Sequence, residues 1–250
     1  MYNAAILSRK LGIELVNCVN SLIAQSLKPE KILISTIRDH LSGEGTNATF
    51  KDNLIPNKID IIIDYNSPSE DGYILGVSSG FKSASSMARL RNNCIRFFNE
   101  GYNSQSNLLF LDSDIRILSK SSCMQMDELC KIYKVVCAPV RSSGQEYEPL
   151  QICKGSLLTH TDPIAGLKMF QKYERGLTEE QVRSNETIEF EGCSGSCTML
   201  SKDVVNDMEV RFSPHPQGEW IGLWDSNKDK LGKSVILPSV QTIHRSYWSH

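Results

Sequence analysis

The stretch LLFLDSDIRI, from Leu108 to Ile117, decides how this chain is read. Four apolar residues, of the kind that make up a strand buried on both faces, run straight into Asp112, Ser113 and Asp114 before the chain turns apolar again. In a strand, residues i and i+2 point to one side, so Asp112 and Asp114 are expected to share a face. Two carboxylates that close repel each other unless a cation or a set of donors compensates. A hard divalent ion, Mg²⁺ or Mn²⁺, held together with a phosphate-bearing ligand, answers that repulsion. The plainer alternative is a solvated strand end whose aspartates cap the next turn.

Working outward, the sequence alternates strand and helix. NAAILS (Asn3–Ser8) reads as a first strand, and the segment Arg9–Gln25 carries Leu11, Leu15, Val19, Leu22 and Ile23 at helical spacing. SLKPE breaks that helix, KILIST (Lys31–Thr36) is a second buried strand, and Arg38–Asn53 is polar and loop-like. KIDIIIDY (Lys58–Tyr65) is a third strand. Ser83–Gly101 is a helix, with Ser83 or Ser85 as N-cap and Gly101 as stop. NLLFLDSDIRI follows as one strand, a helix begins near Asp127, and KVVCAPV is another strand. Arg141–Asn185 is irregular, with a helix over Thr178–Asn185. CTMLSKDVV leads from strand to helix, Gly218–Gly232 is helical, and SVILPSVQTIH is strand-like. Strands alternating with helices imply a mostly parallel sheet covered on both faces, which binds ligands at the carboxyl ends of its strands.

The bulk properties narrow the function class. A chain of 250 residues with 40% hydrophobic and 22% charged residues can build its own core without staples. A net charge of -2 puts no global positive field on the surface, so neither nucleic acid nor anionic lipid is advertised, although a local basic patch stays compatible with both. No secretory leader and no apolar run of membrane-spanning length is evident, which implies a cytoplasmic protein. The eight cysteines are then expected as thiols. CSGSC (Cys193–Cys197) lacks the second pair or the histidines that a zinc site needs.

Read together, SLIAQ, ARLRNN and LLFLDSDI resemble the nucleotide-sugar half of GT-A glycosyltransferases, most closely the family 2-like enzymes. ILSRK stands where the family has its first turn, Ser21, Leu22 and Gln25 match the end of the first helix, and Ala88, Arg89 and Asn92 resemble the arginine helix. Asp112–Ser113–Asp114 match the metal motif. The resemblance implies an α/β GT-A (nucleotide-diphospho-sugar transferase) fold, a Rossmann-like mixed sheet with helices on both faces. It implies one catalytic domain over residues 1–250, with a donor half at 1–118 and an acceptor half at 119–250. It further implies that Asp114 ligates Mn²⁺ or Mg²⁺ directly, that Asp112 binds ribose or reaches the metal through water, and that Arg89 or Arg91 faces the diphosphate. At helical spacing only one of those two arginines can point inward. Ser8, Arg9, Thr36, Asp64, Arg89, Asn92, Asp112 and Ser113 are the implied donor-binding residues. The second strand ends in Thr36 where the family usually has aspartate, so Asp64 is the candidate for the base contact.

The C-terminal block is the second informative region. Glu219, Gly232, Pro238 and His244 fall in the family's late pattern, and the resemblance makes His244 a third metal ligand. Where the family has the aspartate that acts as base, this chain has Trp220. Glu219 or Asp225 is the candidate catalytic carboxylate, six positions apart and unable to serve together on one helix. With neither acting, the transfer would retain configuration. Trp220 and Trp224 share a helix face, either as sugar-stacking acceptor residues or as core. Gly192, Ser194 and Gly195 belong to a small-residue loop suited to close approach of an acceptor. The implied partners are a nucleotide-diphosphate sugar and a hydroxyl acceptor: a saccharide or glycoconjugate before protein or modified nucleic acid. Two rivals stand beside this reading, a nucleotidyltransferase, for which SRKLG is a faint glycine-lysine loop, and a silent nucleotide-sugar-binding protein.

Overall fold

A computed structural model describes residues 1–8, 11–37, 50–66, 81–102, 105–141, 151–153, 159–161, 168–170, 186–190, 192–194, 196–215, 218–240 and 242–244. The organising element is β1 (Tyr2–Ser8), in which all seven residues are buried. A strand with no polar face can only sit inside a sheet covered on both sides. It pairs in parallel with β2 (Lys31–Ile37) on one side and with β4 (Asn107–Asp112) on the other. β2 in turn pairs in parallel with β3 (Asp60–Asn66).

Successive residues of these strands feed two separate cores. Ala4, Ile6, Ile32, Ile34, Leu109 and Leu111 pack with α1 (Ile13–Ile23), whose Leu15, Val16, Cys18, Val19, Leu22 and Ile23 form the buried stripe. The intervening Ala5, Leu7, Leu33, Leu108 and Phe110 face the opposite way. They meet the long α2 (Phe81–Tyr102) and α5 (Glu219–Leu231). That period of two is what places helices on both faces.

The second half of the chain completes the same sheet. β13 (Cys197–Leu200) runs antiparallel between β4 and β6 (Val135–Cys137), and β14 (Ser234–Ile236) lies beyond β6, followed by β11 (Ile188–Phe190). The eight strands run in the order β11-β14-β6-β13-β4-β1-β2-β3. The chain winds outward from β1 to β3 and then returns to the other side of β1 as β4. This reversal of direction makes the carboxyl ends of β1 and β4 a switch point, where a doubly wound sheet opens a crevice.

Five expected elements differ. KVVCAPV is two strands, β6 in the large sheet and the two-residue β7 (Val140–Arg141) in a small one, and the helix expected over Ser83–Gly101 runs from Phe81 to Tyr102, so Ser83 and Ser85 lie inside it rather than at its cap. The stretch Asn107–Ile117 is two strands, because the ladder for β4 runs out at Asp112: its last partner on β1 is Leu7, and β13 starts only at Cys197. Ser113 and Asp114 form a turn, and β5 (Ile115–Ile117) joins a small sheet with β15 (Thr242–His244) and β7 (Val140–Arg141). SVILPSVQTIH likewise divides around Pro238 into β14 and β15, which belong to different sheets. The helix expected near Asp127 is α3 (Ser122–Leu129), which starts earlier because Cys123 and Met126 already bury its inner face.

The helix expected over Thr178–Asn185 lies outside the described residues. The short strands β8 (Gln151–Cys153), β9 (Thr159–Thr161), β10 (Lys168–Phe170) and β12 (Gly192–Ser194) form two antiparallel pairs, β8 with β12 and β9 with β10. α4 (Lys202–Asn206) follows β13. Cys18, Cys94, Cys123, Cys130 and Cys197 are buried free thiols, whereas Cys137 is disulfide-bonded, a departure from thiols throughout. Among the described residues no helix is long and apolar enough to cross a membrane.

Candidate active site

The carboxyl edge of the sheet gathers most of the expected donor residues. Asp112, Leu7, Ser35 and Asp64 stand in one register row across β4, β1, β2 and β3. Ser8, Thr36 and Tyr65 form the next row. Rows one residue apart point to opposite faces, so Asp112 and Asp64 belong to the α2 side and Ser8 and Thr36 to the α1 side. Asp112 and Asp64 are three strands apart, roughly 14 Å at ordinary strand spacing. Ser8 and Thr36 are buried at 4% and 2% exposure, while Asp64 is half-buried and lines a cavity with Asn93, Arg96, Phe97 and Glu100. Arg9 lies outside the described residues.

The inward-facing arginine of α2 is Arg91. Its Nε donates to Glu219 Oε1 at 2.9 Å and its Nη2 donates to Asp112 Oδ1 at 3.3 Å. The arginine side chain is 3% exposed, against 12% for Glu219 and 34% for Asp112. A guanidinium that deep would cost several kcal/mol without partners. Here it bridges two carboxylates and sits among aromatic rings, with Cζ 4.7 Å from the Trp220 centroid, 5.3 Å from Phe110 and 5.9 Å from Phe212. The rings meet edge to face: Phe212 and Trp220 at 4.9 Å, Phe110 and Phe212 at 5.7 Å. Burial works against the Arg91 charge, yet Glu219 and then Asp112 outweigh it and hold the group above its ordinary range. Burial pushes the Asp112 carboxyl upward, with Arg91 and a hydrogen bond to Ser196 opposing and Asp114 and Glu219 adding to the rise.

Local sequence explains how Glu219 reaches this point. Gly218 adopts φ +115°, a conformation that side chains rarely tolerate, and turns the chain into α5 with Glu219 as its first residue. A carboxylate in the first helical turn is favoured by the exposed amides there. Gly222 then allows α5 to lie directly on the preceding segment: a Cβ at that position would stand 1.8 Å from the Ser213 carbonyl oxygen.

Asp114 sits half-buried in the turn after β4. With Arg91, Asp112 and Glu219 it makes a group of one positive and three negative formal charges, and its carboxylate oxygens are hard donors. Among the described residues no cluster of three His, Cys, Asp or Glu side chains could hold a metal ion. Two carboxylates leaving the remaining positions to water and phosphate oxygens are the usual way Mg²⁺ is held, and Asp112 and Asp114 are the two carboxylates that the end of β4 and its turn offer. His244 is described at the backbone, where it stands opposite Ile115, one residue past Asp114.

The remaining expected residues are spread more widely. Ser113 lies half-buried in the same turn as Asp114. Arg89 is exposed, about 200° around α2 from Arg91, and so does not reach the Asp112 edge. Asn92 binds backbone: its Nδ2 donates to Phe212 O at 2.9 Å, and Phe212 N donates to its Oδ1 at 2.8 Å. Trp220 and Trp224 are 6% and 3% exposed in the core, Trp220 as a wall of the Arg91 box, so neither ring is open for stacking on a sugar. Asp225 is exposed, away from the buried Glu219. Gly192 and Ser194 lie in β12, which packs beside α5, and Gly195 lies outside the described residues. Phe212 carries no local motif and was not legible in the sequence; Ser196 lies in CSGSC, but nothing there announced that its carbonyl oxygen accepts from the Asp112 amide at 2.8 Å.

No protein-family model matches the sequence, and no curated protein matches it. Solved structures that it resembles include S. aureus TarS 1–349 (TM-score 0.53, 11% identity, over 98% of this chain and 60% of that one). The same fragment in complex with UDP-GlcNAc gives a TM-score of 0.52 at 12% identity over 100% and 62% of the two chains. A197 from STIV gives 0.50 at 14% identity over 98% and 85%. The chain thus spans about 60% of the TarS fragment's length. At such identities the likeness establishes the architecture, an α/β GT-A fold built on a Rossmann-like mixed sheet with helices on both faces.

Proposed function

We propose that this protein is a metal-dependent glycosyltransferase that moves a sugar from a nucleotide-diphosphate donor to a hydroxyl acceptor, a saccharide or glycoconjugate first, in the cytoplasm. The observation that carries the reading is the bridge Asp112–Arg91–Glu219 at the switch point of the sheet. The fold shared with a protein whose structures hold UDP-GlcNAc and UDP supports it.

In this reading the nucleotide lies along the carboxyl edge on the α2 side, with Asp64 toward its nucleoside and Asp112, Ser113 and Asp114 toward its diphosphate, while Ser8 and Thr36, buried on the α1 side, back that edge. Asp112 and Asp114, with His244 as third ligand, would hold Mn²⁺ or Mg²⁺, and the bound ion would supply positive charge to neutralise the departing diphosphate. The acceptor oxygen forms the new bond to the anomeric carbon and gives up its proton to a carboxylate base, as the bond to the diphosphate oxygen breaks and that oxygen keeps the electron pair. Glu219 is the better placed of the two candidate bases, because it is held at the site by Arg91, whereas Asp225 points to solvent. Arg91 keeps Asp112 and Glu219 at a set separation, and its aromatic box excludes water from the guanidinium.

The test is release of nucleoside diphosphate from a panel of sugar donors, with and without Mn²⁺. Metal-dependent release is expected from at least one donor. Asp114→Ala should lower it by about 100-fold or more. Absence of metal-dependent release from every donor would overturn the reading in favour of a silent binder, and full activity in Asp114→Ala would move the metal elsewhere.

A further inference from the structure

The outer side of α2 presents a different chemistry. Arg89, Asn92, Asn93 and Arg96 line a cavity of about 350 Å³ together with Arg211 and Phe212. Among the described residues none of the three guanidiniums is ion-paired. Arg96 Nη2 donates to Asn93 Oδ1 at 2.7 Å. Arg211 Nη1 donates to the carbonyl oxygens of Asp207 and Val210 at 3.0 and 2.5 Å. These acceptors are neutral, so they leave the charge of Arg96 and Arg211 in place. Asp64 and Glu100 line the neighbouring cavity with Arg96.

Three cations around one concavity repel one another, and a solvated helix face would let them spread apart. Here the wall that carries Arg211 is fixed. Asn92 and the Phe212 backbone exchange two hydrogen bonds, Asn227 Nδ2 donates to Arg211 O at 2.9 Å, and Gly222 brings α5 against Ser213. Donors held in place before a ligand arrives lower the cost of binding it. Guanidinium forks match the oxygens of a phosphate group and are weakly hydrated, so they surrender water readily.

We propose that this cavity is a binding site for a phosphate-bearing ligand, distinct from the Asp112 edge. Arg91 and Arg89 lie two positions apart on α2, so the arginine that meets Asp112 and the one that lines the cavity face nearly opposite ways. The proposal does not rest on the transfer reading, and its test needs neither metal nor sugar donor.

The experiment titrates ¹⁵N-labelled protein, with chelator present and ionic strength held by sodium chloride, with pyrophosphate and separately with diethyl phosphate. Saturable shifts of the backbone amides of residues 85–96 and 211–214 are expected. Tighter binding of pyrophosphate supports the site with a terminal phosphate as its ligand, and tighter binding of diethyl phosphate supports it with a diester. Arg89→Ala/Arg96→Ala, two exposed positions, should weaken binding at least tenfold with an unchanged thermal midpoint. Arg89→Glu/Arg96→Glu should abolish it. The absence of saturable shifts with both probes would overturn the proposal, and so would equal binding by the double-alanine variant.

Discussion

Arg91 and Arg89 stand two residues apart on one helix and live under opposite physics. Arg91 is buried, bridged to Glu219 and Asp112, and boxed by Phe110, Phe212 and Trp220. Arg89 is exposed, without an ion-pair partner among the described residues, and faces a cavity shared with two other arginines. The inner cation is a fixed part of the site, whose work is to hold two carboxylates in place. The outer cations form no ion pair among the described residues, and their one charged neighbourhood is the adjoining cavity that Arg96 shares with Asp64 and Glu100. The segment 211–214 separates the two, since Phe212 forms a wall of the box and also lines the cavity.

The contrast breaks most severely if the inner cation is removed. Arg91→Ala leaves Glu219 and Asp112 without their counter-charge, and should cost about 3–5 kcal/mol of stability, measured by denaturant unfolding. Arg91→Lys restores the charge without the fork and should recover only part of that loss.

Gly222→Ala attacks the divider. Its Cβ would meet the Ser213 carbonyl oxygen at 1.8 Å and the carbonyl carbon at 2.7 Å, both backbone atoms that cannot rotate away. Displacement of α5 should cost about 1–3 kcal/mol and disturb the Arg91 box and the outer cavity together, visible as a lower thermal midpoint. Arg89→Ala should change stability by no more than about 0.5 kcal/mol, since among the described residues this exposed side chain makes no hydrogen bond or ion pair. A large loss there would mean that the outer arginines serve the fold after all.

Much of this was readable in advance because it is local. The fully apolar β1 and the switch from period two to helical period announce a covered sheet. Asp112 and Asp114 stood out because carboxylates are costly at the end of an apolar strand. The turn that separates them was harder to anticipate. It depends on where partner strands stop, and Leu7 and Cys197 are distant in sequence from Asp112. Asn92 offered a similar difficulty: a polar residue on a helix looks available for a ligand, yet its two hydrogen bonds are taken by a backbone 120 positions away. The tryptophans were open to two readings for the same reason, since exposure is a property of neighbours and not of spacing.

By itself the sequence determined the strand and helix alternation, the acidic edge after β4 and the helix that begins at Glu219, because propensity, hydrophobic period and glycine chemistry act over a few residues. Only the tertiary structure decided which arginine is spent inside. Helical spacing allowed one of Arg89 and Arg91 to point inward and was silent on which. Glu219 lies 128 positions from Arg91 and Asp112 lies 21, so the choice was made when folding brought those carboxylates to one face of α2. A buried guanidinium is stable only where opposite charge already waits.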